Sequence, residues 1–217
     1  MSLKPLLTAA ILGALLLSAS LAPTAAAADE KLWTTSFAKA KELAAKEGKD
    51  ILMEFTGSDW CPPCIALNKN VLTKEVFKVE ATKKFVLLKL DNPRDKSKQT
   101  KEEQAQYKEL SSKFNVTGVP TIFLADAKGR PYSKQVGYSG AEAKQYVEDL
   151  ASNTETRERR DEYLAKAEKA EGAEKAELLD KALAQIDTEL VVSTYKSTVE
   201  EIIAADAKDE SGLKSKY

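Results

Sequence analysis

Apolar residues fall along the first two thirds of the chain in two alternating kinds of stretch. Phe37, Ala40 and Ala44 share one helical face and Gly48 follows, which predicts a helix over residues 36–46 that stops at the glycine. Residues 51–55 form a short apolar run of buried-strand length. The turn-forming Thr56-Gly57-Ser58-Asp59 comes next, with Ser58 and Asp59 placed to cap a helix starting near Pro62. Ile65, Val71, Leu72, Val76 and Phe77 recur at near-helical spacing, with a break expected at residues 72–73, and residues 85–90 are a second buried strand. Residues 91–100 hold Pro93 and five charges, the mark of a surface insertion. A helix over 101–113, an apolar run over 119–124, a turn at 126–129 and a run over 132–138 follow, the last three reading as a hairpin. Ala143, Tyr146, Val147 and Leu150 lie on one face of a closing helix.

Beyond Ser152 the composition shifts to Ala, Glu and Lys over residues 154–208. Leu179, Leu183 and Ile186 mark one helical face, and Val192, Tyr195, Val199 and Ile202 another. This predicts two or three antiparallel helices, reminiscent of a tetratricopeptide-type hairpin, although one partial unit makes no repeat. Residues 1–28 begin with Lys4, run through Leu6, Leu7, Ile11, Leu12, Leu15 and Leu17, and end in Ala25 to Ala28, as a cleaved secretory signal does. A retained N-terminal membrane anchor is the alternative. Acylation is excluded, because the chain has two cysteines and both lie at the Cys61/Cys64 pair. The expected organisation is therefore 1–28 signal peptide, 29–152 an α/β domain and 153–217 an α-helical C-terminal extension, in a periplasmic or otherwise extracytoplasmic protein.

Charge narrows the partners. Without Lys4 the net charge is near −2, so no basic footprint points to nucleic acid or anionic lipid, and proteins are the expected partners. The chain contains no histidine, which removes His-based triads and imidazole metal ligation. Cysteine chemistry remains. Cys61 and Cys64 are three apart at an expected helix start, where unpaired N–H groups favour the thiolate, so Cys61 is expected to face solvent and attack, and Cys64 to resolve. The same spacing occurs in zinc sites, but four ligands are needed and two are present, so no metal is expected. A purely structural disulfide would close too short a loop to gain much chain entropy, and the apolar Trp60 beside it suggests a docking surface.

The stretch Phe55-Thr56-Gly57-Ser58-Asp59-Trp60-Cys61-Pro62-Pro63-Cys64, followed by Gly118-Val119-Pro120-Thr121 and by Asp126-Ala127-Lys128-Gly129, resembles the thioredoxin superfamily, especially exported bacterial thioredoxin-like proteins. The resemblance covers residues 32–152. It implies a thioredoxin fold, a central mixed sheet flanked by helices, with Pro120 in a cis peptide bond facing Cys61 and Val119 offering its backbone to a substrate chain. It also implies that Glu54 and Lys89 match the family's buried acid and its lysine, with Glu54 moving a proton to or from Cys64 through water. Two departures stand out: the lead-in is one residue longer, and Glu replaces the usual Asp.

The implied activity is thiol–disulfide exchange, as a reductase or isomerase, on protein dithiol and disulfide substrates, without a cofactor and recycled by a membrane redox partner. Oligomeric state is not set by any feature of the sequence. The rival reading is a thioredoxin-like binding module whose helical tail recognises a partner. Pro62 and Pro63 have no N–H to steady the Cys61 sulfur, and the Asp59 carboxylate nearby disfavours an anion, so the pair is expected to be reducing.

Overall fold

The two apolar runs become the middle of a five-stranded sheet. A computed structural model describes residues 32–217; the expected signal segment at 1–28 lies outside the described residues. Strand β2 (Asp50–Thr56) is buried along its whole length and lies parallel to β3 (Phe85–Asp91) and antiparallel to β4 (Thr121–Ala125). The edges are β1 (Trp33–Thr34), parallel to β3, and β5 (Pro131–Val136), antiparallel to β4, giving the order β1-β3-β2-β4-β5. A mixed sheet with flanking helices is the thioredoxin fold expected from the sequence.

Because strand side chains alternate, β2 feeds both sides of the sheet. Ile51, Met53 and Phe55 join Ala40 and Ala44 of α1 (Phe37–Glu47) and Leu110 of α4 (Lys101–Lys113). Phe55 and Phe123 meet edge to face at 5.7 Å, a contact worth about 0.5–1.5 kcal/mol beyond area burial. Leu52 faces the other way, onto Leu67 of α2 (Pro62–Leu67), Phe77 of α3 (Glu75–Lys84) and Tyr146 and Leu150 of α5 (Ala143–Ala167). Glu54, two residues on, shares this second side.

Local signals fix several helix ends, and α1 stops at Gly48 as expected. Ser36 caps α1 and Gly48 closes it at φ 65°, a left-handed value that favours glycine. Thr100 and Glu103 form a reciprocal capping box on α4. The break after Leu72 appears as a π-turn over Asn68–Leu72 that buries both Val71 and Leu72 before α3 starts.

The closing helix differs from the sequence reading. α5 runs 25 residues without interruption and carries the chain through residue 152 into the tail. Tail helices α6 (Gly172–Leu183), α7 (Thr188–Thr194) and α8 (Lys196–Ala205) follow, and Leu179, Leu183, Leu190, Tyr195 and Ile202 belong to the same apolar cluster as Phe55 and Phe123. Val192 departs from its expected face and is 75% exposed, because the helix breaks at Tyr195 and the periodicity spans two helices.

A polar joint lies beneath this contact. Arg160 of α5 is fully buried; its Nη2 donates to Asp126 Oδ2 at 2.7 Å and its Nη1 to the Tyr195 hydroxyl at 2.6 Å. Tyr195 in turn donates to the Pro131 carbonyl at 2.8 Å. Asp50 extends the joint, accepting from Tyr132 at 2.8 Å and from Arg157 Nε at 3.0 Å.

Candidate active site

β2 ends at Thr56, and the four residues after it turn the chain into α2. Cys61 caps that helix itself, and the Cys64 N–H donates to Cys61 Sγ at 3.3 Å. Pro62 and Pro63 fill the first helical positions with no N–H, so Cys64 supplies the donor. The two sulfurs are joined as a disulfide, with Cα atoms 5.2 Å apart. Cys61 was expected to face solvent; in this oxidised form it is 3% exposed and Cys64 1%.

Ser58 and Asp59 do not cap α2 as expected. They turn to the insertion instead, while Cys61 takes the cap position and the first two helical residues, both proline, have no N–H to offer. Ser58 donates through its backbone to Asp91 Oδ1 at 2.9 Å. Asp59 accepts from the Arg94 N–H at 2.9 Å and the Asp95 N–H at 3.3 Å, with Lys98 Nζ 3.7 Å away. These donors, the Arg94 N–H first, hold the Asp59 carboxyl below the usual carboxylate range. Its charge is thereby compensated locally, which weakens the expectation that it opposes an anion on Cys61.

Trp60 is half-buried and anchored. Its Nε1 donates to the Asn92 carbonyl at 2.8 Å, and the Arg94 guanidinium lies 5.9 Å from the ring. The indole packs on Gly57, where an added Cβ would stand 2.4 Å from the ring. Ile65, 47% exposed, and Val136, 55% exposed, add apolar surface to the same end of the molecule.

The Val119–Pro120 peptide bond is cis, and the Val119 carbonyl oxygen lies 3.4 Å from Cys61 Sγ. The edge that precedes β4 is thus held against the sulfur that the sequence marks as the nucleophile. Gly137 N–H donates to the Pro120 carbonyl at 2.7 Å and keeps the segment in place.

Behind the disulfide, Glu54 is 1% exposed, and its Oε2 has no hydrogen-bond partner. Lys89, in register with Glu54 across β2 and β3, brings its Nζ to 3.9 Å from that oxygen. Burial pushes the Glu54 pKa up, opposed by Lys89 and by the Thr56 hydroxyl, and aided by Asp91. A cleft of about 90 Å³ is lined by Glu54, Lys89, Thr56, Asn68 and Cys64, room for water between the acid and the sulfur. Among the described residues, no group of three or more His, Cys, Asp or Glu is placed to hold a metal ion, and no helix is long and apolar enough to cross a membrane.

A family model described as a thioredoxin-like domain matches residues 37–151. The chain belongs to the thioredoxin-like family. Within that family it is 32% identical over 117 residues to the disulfide bond reductase DsbH of Chlamydia pneumoniae, a match spanning 54% of this chain and 69% of the relative. It is 30% identical over 125 residues to the thioredoxin-related protein DsbJ of Chlamydia pneumoniae, spanning 55% of this chain and 35% of that one. Among solved structures, the oxidoreductase DsbH superposes with a TM-score of 0.52 at 30% identity, over 56% of this chain and 82% of that chain.

The linear sequence gives no direct sign of the contacts that hold the lead-in to Cys61 in this thioredoxin-like site. Asp91, Asn92 and Arg94, taken for surface insertion, hold Ser58, Asp59 and Trp60. The five charges between 91 and 98 were the visible signal, but solvated and latched charges look alike in a linear sequence. Tyr146, read as part of an apolar face, carries a buried hydroxyl that also lacks a partner.

Proposed function

We propose that this chain is an extracytoplasmic thiol–disulfide oxidoreductase that reduces or isomerises disulfides in protein substrates through Cys61 and Cys64. The observation that carries the reading is the contact of Cys61 Sγ with the Val119 carbonyl beside the cis Pro120, which sets a strand-like edge next to the reactive sulfur. A substrate segment pairing with Val119 would lay its own disulfide along Cys61, with Trp60 flanking it. Similarity to the disulfide bond reductase of Chlamydia pneumoniae supports the reductive direction. The apolar run before Ala28 supports export, and electrons would then come from a membrane redox partner.

The reaction runs in two exchanges. The Cys61 thiolate attacks one substrate sulfur; the substrate S–S bond breaks, a Cys61–substrate bond forms, and a substrate thiolate leaves and takes up a proton. The Cys64 thiol then gives its proton to Glu54 through water in the cleft, and its thiolate attacks the Cys61 sulfur. The Cys61–Cys64 bond forms as the second substrate thiolate departs. Two electrons pass from the dithiol to the substrate. Lys89 stabilises the Glu54 carboxylate, so that a buried acid can be ionised when its turn comes.

Replacing Cys64 by serine removes the resolving step. The reduced Cys64→Ser protein, mixed with a disulfide-bonded protein such as insulin, is expected to accumulate a mixed disulfide through Cys61 that a reductant releases. The absence of any adduct, with Cys61 accessible to a thiol reagent, would sink the assignment.

A further inference from the structure

On the α2–α5 side of the sheet two buried side-chain oxygens lack a hydrogen-bond partner: Glu54 Oε2 and the Tyr146 hydroxyl. Tyr146 is 2% exposed on α5 and packs in one cluster with Leu52, Leu67, Val71 and Ile122. Glu54 follows Leu52 on that face and is in register with Ile122 across β2 and β4. A phenylalanine would fill the same wall without burying a hydroxyl, whose desolvation is otherwise uncompensated. The hydroxyl stays protonated, since burial first, then the Glu54 charge, and after it Tyr138 and Asp149, push its pKa up. It is therefore an unused donor on the side of the sheet where one Glu54 oxygen, Oε2, lacks a donor.

We propose that Tyr146 is a positioning residue for Glu54: its hydroxyl donates to the Glu54 carboxylate, by a side-chain rotation or through one water, and so sets the pH at which Glu54 takes the Cys64 proton. This rests on the exchange chemistry proposed above. In that step the S–H bond of Cys64 breaks, the proton passes to Glu54, and the Cys64 electron pair attacks the Cys61 sulfur of the mixed disulfide, expelling the substrate thiolate. The charged and titratable groups facing Glu54 are Lys89 and Asp91 from β3, Cys64 from α2 and Tyr146 from α5, with the Thr56 hydroxyl on its own strand. Lys89 is half-exposed and its Nζ stands 3.9 Å from Glu54 Oε2, a loose pair that leaves this oxygen short of a direct donor while the Thr56 hydroxyl serves the carboxylate from its own strand. A hydrogen bond to the charged form lowers an acid's pKa, so losing Tyr146 raises that of Glu54 further.

The test uses Tyr146→Phe in the full chain, reduced, which keeps the ring and its packing. Two quantities are followed: the Glu54 carboxyl titration by carbon NMR, and the pH profile of substrate-thiol release from a preformed Cys61 mixed disulfide. The expected result is a rise of about one unit in the Glu54 midpoint, with the acid limb of the release profile moving up alongside it. In a Glu54→Gln background, Tyr146→Phe then leaves the profile where it is. A Glu54 midpoint unmoved by Tyr146→Phe overturns the proposal, and so does a shifted midpoint with an unshifted limb. If the wild-type protein releases no thiol, the exchange function fails, and the carboxyl titration alone decides whether Tyr146 and Glu54 are paired.

Discussion

Arg160→Met cuts the joint between the sheet and the helical tail while roughly keeping side-chain volume. The guanidinium is fully buried and serves Asp126, Asp161 and Tyr195 at once, at 2.7, 2.8 and 2.6 Å. Removing one partner from a buried ion pair costs about 3–5 kcal/mol, chiefly because the other charge is left behind. Here Asp126 keeps Arg130 Nε at 2.8 Å and two backbone N–H donors, from Lys128 at 2.9 Å and Arg130 at 3.0 Å. Tyr195 keeps the Pro131 carbonyl, and Asp161 is 36% exposed and rehydrates. The loss therefore falls at the lower end, about 3 kcal/mol. For a chain of this size that corresponds to a drop of roughly 6–12 °C in Tm. Urea unfolding of the oxidised protein measures it with two probes. The two tryptophans are Trp33 of β1 and Trp60 of the turn after β2, both outside the tail, whereas α5 to α8 contribute much of the far-ultraviolet circular dichroism. Sheet and tail share one apolar cluster, so the two transitions are expected to coincide and to shift together in the variant. A loss below about 1 kcal/mol, the worth of an exposed pair, would refute the reasoning. So would a helical transition separate from that of the tryptophans.

Glu54→Gln is expected to stabilise the protein at neutral pH. Burial raises the folded pKa of Glu54, so the wild type loses stability as pH rises from the unfolded value, about 4.3, through the folded one, and the variant's advantage fades on acidification. Urea midpoints of both proteins across that range measure it, and an equal difference at both ends would contradict the burial argument. The Cys61/Cys64 couple is expected to equilibrate with glutathione near about −270 mV rather than about −120 mV, since the Cys64 N–H at 3.3 Å serves the Cys61 sulfur in a turn where two prolines offer no donor. A value at the oxidising end would reverse the reductive assignment and leave the exchange chemistry standing.

How legible these features were depends on the range of the interaction that fixes them. Phe37, Ala40, Ala44 and Gly48 encode α1 within a dozen residues, and Thr100 with Glu103 encodes the start of α4 within four, so both were readable. The Cys61/Cys64 pair and the Val119-Pro120 segment were readable from their residue types and resemblance, though their meeting across 58 residues is visible only in the fold. Trp33 and Thr34 form β1 because β3 offers a free edge, a cue absent from so short a segment. The end of α5 was missed because no glycine or proline stops the helix after Leu150, while Arg160, exposed by composition, is buried by partners 34 and 35 residues away. Asp59 was read as a cap because Asp commonly caps helices; two N–H groups 35 and 36 residues along the chain claim it instead.

The long helix that joins the two halves also sets an order of assembly. Arg160 reaches back 34 residues to Asp126, and Tyr195 reaches back 64 to Pro131, so the β4–β5 corner acquires its buried partners from chain made well after it. Contacts of such separation close loops at an entropic cost before they return anything, which places them late in folding. Until Tyr195 arrives, the Pro131 carbonyl lacks the hydroxyl that donates to it, and Asp126 lacks the buried guanidinium that covers it. The sheet layer of a growing or newly released chain therefore keeps an open, polar corner, and the last tail helices act as the catch that shuts it.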